Sequence, residues 1–152
     1  MHQRLVRQIM TSDVVTIGPE RLVADAAELM ETHGVRHLPV IDDDELLVGI
    51  VTDNDIREAE TAGSVLSSYE PDVDPRWLTV ADIMTTDVVT ISPDTTVGEL
   101  ARVLIRHKIG GTPVVVPDAK YPSRNHLAGI VTETDIFTML AEASTAEDAD
   151  SV

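Results

Sequence analysis

A nine-residue segment occurs twice in the chain, and this internal repeat constrains the fold more than any other feature of the sequence. Residues 9–17 read IMTSDVVTI, and residues 83–91 read IMTTDVVTI, 74 positions later. A second match, GIVT, occupies residues 49–52 and 129–132 at an offset of 80, because the second copy carries six extra residues before it. Such a repeat predicts one supersecondary unit built twice.

The order of predicted elements is the same in both copies. Runs of β-branched residues that end at proline predict strands, and apolar residues at helical spacing predict helices. Each copy opens with a short helix, which we call the lead-in helix, and Thr79 is the predicted N-cap of the second one. The first copy is predicted as helix 5–10, strand 13–17, helix 23–33, strands 38–41 and 46–51, and helix 53–61. The second is predicted as helix 79–84, strand 87–91, a helix beginning at residue 97, strands 112–116 and 127–131, and helix 133–143.

The repeats also define the domain organisation. We expect a first repeat at residues 5–62, a linker at 63–78, a second repeat at 79–143 and a disordered acidic tail at 144–152. Each β-α-β-β-α copy is too small to bury its sheet alone. The copies are therefore expected to pack sheet to sheet about a pseudo-twofold axis, in an α/β (α+β) fold with two clefts suited to small ligands.

Charge and composition argue against several classes of function. The formal net charge is −16, from 27 acidic residues against 11 lysines and arginines, and such a surface repels the phosphates of nucleic acids. The absence of cysteine excludes disulfides, thiolate nucleophiles and cysteine-based zinc sites. No apolar stretch approaches the roughly 20 residues of a membrane span, and the charged segment 1–10 is unlike a signal peptide. We expect a cytoplasmic protein with no nucleic-acid or membrane partner.

Four motifs together resemble those of CBS domains. They are Asp-Ile-Met at 82–84, Val-Val-Thr-Ile-x-Pro at 14–19 and 88–93, Pro-Val at 39–40 and 113–114, and Gly-Ile-Val-Thr-x-x-Asp-Ile at 49–56 and 129–136. The pair, from about Leu5 to Ala143, resembles a Bateman module. The resemblance implies clefts for AMP, ADP, ATP, S-adenosylmethionine or a related adenosine compound, acting as a regulatory ligand rather than a cofactor. It also implies a homodimer and a separate effector protein, since no attached domain is present.

The last motif of each copy carries a hydroxyl and a carboxylate at a strand-to-helix junction. These are Thr52 and Asp55 in the first copy, and Thr132 and Asp135 in the second. The carboxylate can accept hydrogen bonds from both ribose hydroxyls, and the threonine with nearby amides can meet a phosphate or ribose oxygen. The alternative is that the threonines are N-caps and the acids only follow the helix dipole. Capping does not require aspartate at the third position of both copies, so a ribose role is favoured.

The resemblance implies that the other half of each cleft comes from the opposite repeat, where the adenine contacts the first strand and the segment before Pro-Val. For the cleft of Asp55, the implied residues are Val89, Ile109, Gly110, Gly111 and Pro113. For the cleft of Asp135, they are Val15, Val35, Arg36, His37 and Pro39. Core packing is an equally good explanation for Val15, Val35, Val89 and Ile109.

Two cations distinguish the clefts. Arg36 and Lys108 precede the two Pro-Val motifs, and in relatives that bind phosphorylated nucleotides these positions are implied to contact phosphate in the cleft of Asp55. The other cleft has Gly34 and Gly110 at the equivalent positions. We expect one nucleotide-competent cleft and a second that is empty or takes a less charged adenosine compound. The alternative is that both cations are solvated and pair with surface acids.

No other constellation indicates chemistry. The acidic run 42–45 lacks the ligand spacing and glycine of an EF-hand loop, so a solvated turn is expected. No histidine pattern has metal-ligand spacing, and no nucleophile or acid–base pair indicates an enzyme. The sequence predicts a stand-alone regulatory module that binds an adenosine-type ligand and signals its occupancy to a partner. A structural or dimerisation module with vestigial clefts is the alternative.

Overall fold

The computed structural model describes residues 4–69 and 75–150. Its elements form a mixed α+β fold, as the repeat predicts. In chain order they are α1 (Val6–Ile9), α2 (Val23–His33), β1 (His37–Ile41), β2 (Leu47–Thr52), α3 (Asp53–Tyr69), a 3-10 turn (Pro75–Trp77), α4 (Val80–Ile83), α5 (Val97–His107), β3 (Gly111–Pro117), β4 (Asn125–Thr132) and α6 (Glu133–Asp150). The chain divides into two compact units, Val15–Val88 (the first-repeat unit) and Met1–Val14 with Val89–Val152 (the second-repeat unit).

Each unit contains one antiparallel hairpin. In the first-repeat unit β1 pairs with β2, and Leu38 lies opposite Val51. In the second-repeat unit β3 pairs with β4, and Thr112 lies opposite Val131. All four side chains are fully buried. Because alternate side chains of a strand face the same side, this shared register fixes which face of each hairpin enters the core.

The first predicted strand of each copy is reduced to a single bridging residue. Ile17 forms a parallel bridge with Val40, and Ile91 forms one with Val114. The Ile17 N–H donates to the Pro39 carbonyl at 3.2 Å. β-Branched residues favour an extended backbone, but a strand also needs a continuous neighbour. Residues 13–17 and 87–91 each form a backbone bridge to a hairpin strand at one residue only, so the predicted strands were wrong.

Two aliphatic cores stabilise the fold. The first-repeat unit buries Ala26, Leu38, Val40, Val51 and Val80 completely. The second-repeat unit does the same with Val6, Leu100, Val114 and Val131. Each core therefore includes one valine from a lead-in helix, Val80 of α4 or Val6 of α1. These two valines come from the opposite repeat of the sequence.

Each lead-in segment packs in the compact unit formed by the rest of the other repeat. The Val80 N–H donates to the Arg21 carbonyl at 2.7 Å, and Thr85 forms an antiparallel bridge with Ile50 of β2. The first lead-in segment makes the corresponding contacts in the second-repeat unit, from Val6 to Thr95 and from Thr11 to Ile130. A compact unit is therefore not one contiguous repeat, because each takes its lead-in from the other copy.

Two helices continue beyond their predicted ends. Helix α3 enters the predicted linker and ends at Tyr69, shortly before Pro71, and a proline disfavours helix in the residue that precedes it. Helix α6 runs on to Asp150, which differs from the predicted disordered tail. Residues 144–150 contain neither glycine nor proline to end the helix. Among the described residues, no helix is long and apolar enough to cross a membrane.

Candidate ligand-binding site

Thr52 and Asp55 form two reciprocal hydrogen bonds at the start of α3. The Thr52 N–H donates to Asp55 Oδ2 at 2.9 Å, and the Asp55 N–H donates to Thr52 Oγ1 at 3.2 Å. This arrangement is a capping box, in which the N-cap residue and the third helical residue bond each other's backbone donors. Both residues are half-buried. The cap therefore holds the predicted ribose acceptor in one orientation at the strand-to-helix junction.

Thr132 and Asp135 also pair at the start of α6, but here both hydrogen bonds run from Thr132 to the carboxylate. The Thr132 N–H donates to Asp135 Oδ2 at 2.9 Å, and the Thr132 hydroxyl donates to the same oxygen at 3.3 Å. Capping thus accounts for the aspartate as well as the threonine in both repeats. This corrects the expectation that helix capping alone would not explain an aspartate at the third position of both motifs. Among the residues that the structure describes, the Oδ1 atoms of Asp55 and Asp135 accept no hydrogen bond. One oxygen of each carboxylate is left for a ligand.

The structure brings Arg36 to the same end of the hairpin as Thr52 and Asp55. The Asp53 N–H donates to the Arg36 carbonyl at 3.0 Å, and His37 lies opposite Thr52 in the β1–β2 ladder. The Arg36 side chain is exposed and makes no ion pair with any described residue. Three of the four residues predicted for the nucleotide-competent cleft therefore meet within the first-repeat unit.

The equivalent segment of the second repeat holds the fourth predicted residue, Lys108. This residue ends α5 in the left-handed conformation, with φ 55°. Gly110 accepts a hydrogen bond from the Glu133 N–H at 2.9 Å, and Gly111 lies opposite Thr132. Each segment before Pro-Val therefore lies beside the Thr-x-x-Asp motif of its own repeat. Its assignment to the cleft of the opposite repeat stays a prediction.

An open cavity of about 520 Å³ in the second-repeat unit contains part of this segment. Lys108, Ile109 and Gly110 line it together with apolar residues of α5 and α6. The volume is in the range of small-molecule sites. The lining includes Glu133 but neither Thr132 nor Asp135, so the cavity lies beside the Thr132–Asp135 pair rather than over it.

Core packing accounts for most of the predicted adenine contacts. Pro39 and Pro113 are fully buried. Val15 and Val35 pack against the core of the first-repeat unit, and Ile109 packs against the core of the second. Gly111 is also buried, whereas His37, Val89 and Gly110 are half-buried. Val15, Val35 and Ile109 are half-buried as well, so all six keep some surface that a ligand could contact.

Sequence reasoning missed Thr112, which positions the predicted contact Val89. Thr112 has no exposed surface, and its hydroxyl donates a short hydrogen bond to the Val89 carbonyl. A buried hydroxyl needs such a partner. The sequence did contain a signal for this role, because Thr112 is polar at a position where the first repeat has the apolar Leu38. The backbone of Val89 is thus fixed by a side chain rather than by a β-ladder.

An aspartate stabilises each of two connections between strands, the acidic turn at residues 42–45 and the longer loop at residues 117–126. Asp42 Oδ1 accepts from the Asp44 and Leu46 N–H groups at 2.9 and 3.0 Å, as expected of a hairpin turn. In the loop, Asp118 accepts from the Tyr121 N–H at 2.8 Å and lies 2.6 Å from His126 Nε2. These contacts lower the pKa of the Asp118 carboxyl. Within the described ranges, no three acidic or histidine residues form a cluster that could hold a metal ion.

The family model of the CBS domain matches the chain twice, at residues 6–61 and 80–142. A relative, the inosine-5'-monophosphate dehydrogenase of Korarchaeum cryptofilum, is 39% identical over 82% of this chain. The match covers 22% of that enzyme, and the next relative, from Methanocaldococcus jannaschii, is also covered over 22% of its length. The chain thus spans about a fifth of these relatives and matches only a segment of each.

Solved structures of CBS domain pairs have the same fold. The CBS domain pair of protein MJ0100, in complex with 5'-methylthioadenosine and S-adenosyl-L-methionine, has a TM-score of 0.71 and 28% identity, covering 92% of this chain and 98% of that one. The protein CBSX2, in complex with AMP, has a TM-score of 0.73 and 28% identity over the same shares. With two matches to the family model in repeat order, the chain belongs to the CBS domain family, as a CBS domain pair.

Proposed function

We propose that this chain is a regulatory module that binds an adenosine-type ligand through the carboxylates of Asp55 and Asp135. One observation carries the proposal: each carboxylate is held through Oδ2 by the threonine that begins its helix, and Oδ1 accepts no hydrogen bond from the described residues. A half-buried acceptor of fixed orientation matches the two adjacent hydroxyls of a ribose. It needs no reorganisation before binding, which reduces the entropic cost of association.

The ligands of similar structures support the adenosine class. 5'-Methylthioadenosine, S-adenosyl-L-methionine and AMP occupy the two CBS structures described above. They share an adenine and a ribose but differ in the charge of the 5' substituent. A carboxylate that recognises the ribose is compatible with all three, so the neighbouring charges are expected to select among them.

The unequal charges of the two repeats favour phosphorylated ligands at Asp55. Arg36 is exposed beside Thr52 and has no acidic partner among the described residues. The second repeat has Gly110 in the segment next to Thr132. An unpaired guanidinium near the ligand contributes a charge-assisted contact to a phosphate. We therefore propose that AMP binds at Asp55 with Arg36 as its cationic contact.

Isothermal titration calorimetry with AMP, ADP, ATP and S-adenosylmethionine tests the proposal. Asp55→Asn keeps an oxygen for the Thr52 cap but removes the charge, and it should weaken AMP binding by about 10- to 100-fold, the value of a charged hydrogen bond. Arg36→Ala should weaken AMP more than adenosine. AMP affinity that is unchanged in Asp55→Asn would refute the role of this carboxylate.

Asp82 provides a matched control, because it makes the same capping box in α4. The Thr79 N–H and hydroxyl donate to Asp82 Oδ2 at 2.8 and 2.9 Å. Asp82→Asn perturbs a cap of the same geometry without touching the proposed ligand site, so its AMP affinity should equal that of the wild type. If Asp135→Ala abolishes AMP binding while Asp55→Ala leaves it intact, the assignment of the nucleotide to Asp55 is wrong.

We propose that ligand occupancy is passed to a separate effector protein through a change in the population of conformations. A ligand-dependent change in the affinity for a candidate effector would support this step. An interaction module with vestigial clefts is the alternative function. That alternative predicts no heat of binding for any member of the ligand panel.

A further inference from the structure

A six-residue insertion makes the connection between β3 and β4 longer than the connection between β1 and β2. The acidic turn at residues 42–45 carries four negative charges and no positive one. The longer loop at residues 117–126 carries one aspartate against a lysine and an arginine, so its formal charge is +1 with His126 neutral. The formal net charge of the whole chain is −16. The longer loop is therefore a local reversal of charge on a strongly acidic chain.

Hydrogen bonds within the longer loop hold its backbone in one arrangement. The Asp118 N–H donates to the Arg124 carbonyl at 2.8 Å, and the Arg124 N–H donates to the Tyr121 carbonyl at 2.8 Å. The Asp118 carboxylate accepts from the Lys120 and Tyr121 N–H groups at 3.0 and 2.8 Å. Because the loop is ordered before it meets a partner, association loses little conformational entropy.

The two cations of the longer loop are exposed together with a tyrosine. Lys120 Nζ lies 5.4 Å from the centre of the Tyr121 ring, within the distance of a cation–π contact. Tyr121 is 53% exposed, and Lys120 and Arg124 are exposed as well. Neither cation forms an ion pair with a residue of the described ranges. Both charges are thus available to the carboxylates of another molecule.

An open cavity of about 370 Å³ lies at the base of the longer loop. Pro117 and Asn125, which pair in the β3–β4 ladder, form part of its wall. Apolar surface comes from the buried Ile91 and Val115 and from Val116, which is 38% exposed. The cavity therefore offers apolar surface together with hydrogen-bonding groups. The remaining lining residues are Thr90, Ser92, Pro93 and Asp94.

The polar groups of the cavity are unsuited to an anion but suited to a peptide. Asp94 can only accept hydrogen bonds, and it already forms an ion pair with Arg7. Thr90, Ser92 and Asn125 can donate as well as accept, which the amides of a peptide require. An anionic group is therefore favoured at the cations of the longer loop, and an uncharged apolar side chain is favoured in the cavity.

We propose that the longer loop and the cavity at its base bind an acidic peptide segment of a partner protein. Carboxylates of the segment contact Lys120 and Arg124, and a neighbouring apolar side chain enters the cavity against Val116. Complementary charge accelerates such an encounter and selects against basic partners. The first repeat has the acidic turn at this place, which repels the same segment. The proposal holds whether or not a nucleotide binds at Asp55.

Selection from a phage library of random peptides tests the proposal, with the full chain as the immobilised target. The enriched peptides should combine several acidic residues with an adjacent apolar one. A synthetic peptide of the enriched sequence, labelled with fluorescein, then gives dissociation constants by fluorescence anisotropy. The double variant Lys120→Glu, Arg124→Glu should bind it at least about 10-fold more weakly, because two attractive contacts become repulsive.

The double variant Arg102→Glu, Arg106→Glu is the matched control. It changes the net charge of the chain by the same amount, at exposed residues of α5 outside the proposed surface. It should therefore bind the peptide as the wild type does, and circular dichroism checks that each variant retains the fold. Titration with AMP separates this proposal from the proposed function, because the loop variant should bind AMP with unchanged affinity.

Two results of these measurements would overturn the proposal directly. One is that the wild type enriches no acidic peptides, and the other is an equal loss of peptide affinity in the two double variants. Vesicles of phosphatidylserine provide a further arm. If they bind the wild type through Lys120 and Arg124 while no peptide is enriched, the longer loop contacts a membrane surface and not a protein.

Discussion

The sulfur of Met10 lies so close to Gly129 that a Cβ built on the glycine would be 2.8 Å from it. The carbonyl oxygen of Thr11 would be equally close, at 2.8 Å. The same relationship joins Met84 to Gly49 in the first-repeat unit, where the sulfur would be 2.6 Å from the Cβ. The glycine of each GIVT motif is therefore needed because the lead-in segment of the opposite repeat passes directly over it.

Replacing Gly129 with alanine should lower the free energy of unfolding by about 1–3 kcal/mol, the usual cost of added volume in a packed core. The Met10 side chain can move, but the Thr11 carbonyl is backbone and accepts the Ile130 N–H at 2.9 Å. Urea unfolding followed by circular dichroism measures the change. Gly98→Ala is the control, since its Cβ meets nothing within 4 Å and helical alanine is favoured over glycine. An equal loss in both variants would contradict the explanation.

Thr112→Val should destabilise the protein by about 1–3 kcal/mol, because it leaves the Val89 carbonyl without its hydrogen-bond donor. The side chains have nearly the same shape, so the loss of the hydroxyl is the main change. Thr112→Ser keeps the hydroxyl and should recover the Val89 contact, at the cost of one methyl group. Thermal unfolding of the three proteins compares them. A valine variant more stable than the serine variant would show that the hydroxyl contributes little.

Asp135→Ala should cost about 0.5–2 kcal/mol, because the Thr132 N–H and hydroxyl at the start of α6 lose their acceptor. Asp135→Asn should cost less, because the amide oxygen can still accept the Thr132 N–H. Urea unfolding of both variants without ligand separates this effect from binding. Asp43→Ala is a control in an exposed turn, where the side chain accepts no hydrogen bond from a described residue. If Asp135→Ala is as stable as the wild type, capping does not explain the aspartate.

The loop 117–126 should lose stability in acid through Asp118. Hydrogen bonds from the Tyr121 N–H and the His126 ring lower the pKa of this carboxyl in the folded state. A lowered pKa means that its contribution is complete above about pH 4, the ordinary pKa of an aspartate, and is lost as the pH falls through the folded-state value. Asp118→Asn should therefore be less stable than the wild type at pH 6. The two should converge as the pH approaches 2, and a constant difference in melting temperature would contradict the linkage.

Local sequence signals predicted most of the secondary structure. Helix α2 has the predicted bounds, and Thr79 is the N-cap of α4 as expected. These signals succeed because capping and apolar periodicity depend on residues within one or two helical turns. The segments 13–17 and 87–91 were predicted as strands from composition alone. Composition does not encode how far a neighbouring strand accompanies them, and each pairs at only one residue.

The sequence predicted which residues belong to the candidate site but not which contacts their side chains make. Thr52 and Asp55 were recognised from the motif, yet the reciprocal hydrogen bonds that hold them became evident only from their side-chain geometry. Thr112 was missed because its partner, Val89, is 23 residues away in the chain. Pairing at that distance leaves no periodic signal in the sequence.

The sequence by itself determined that one α-β-β-α unit occurs twice, which residues start its helices and which side chains are apolar. Only the tertiary structure decided that each lead-in segment packs in the unit of the other repeat, with Val6 in one core and Val80 in the other. It also decided that Ile105 and Phe137 are exposed while Leu104 is buried. The physical reason is that helical periodicity reports which residues share a face, whereas burial depends on what packs against that face from elsewhere in the chain.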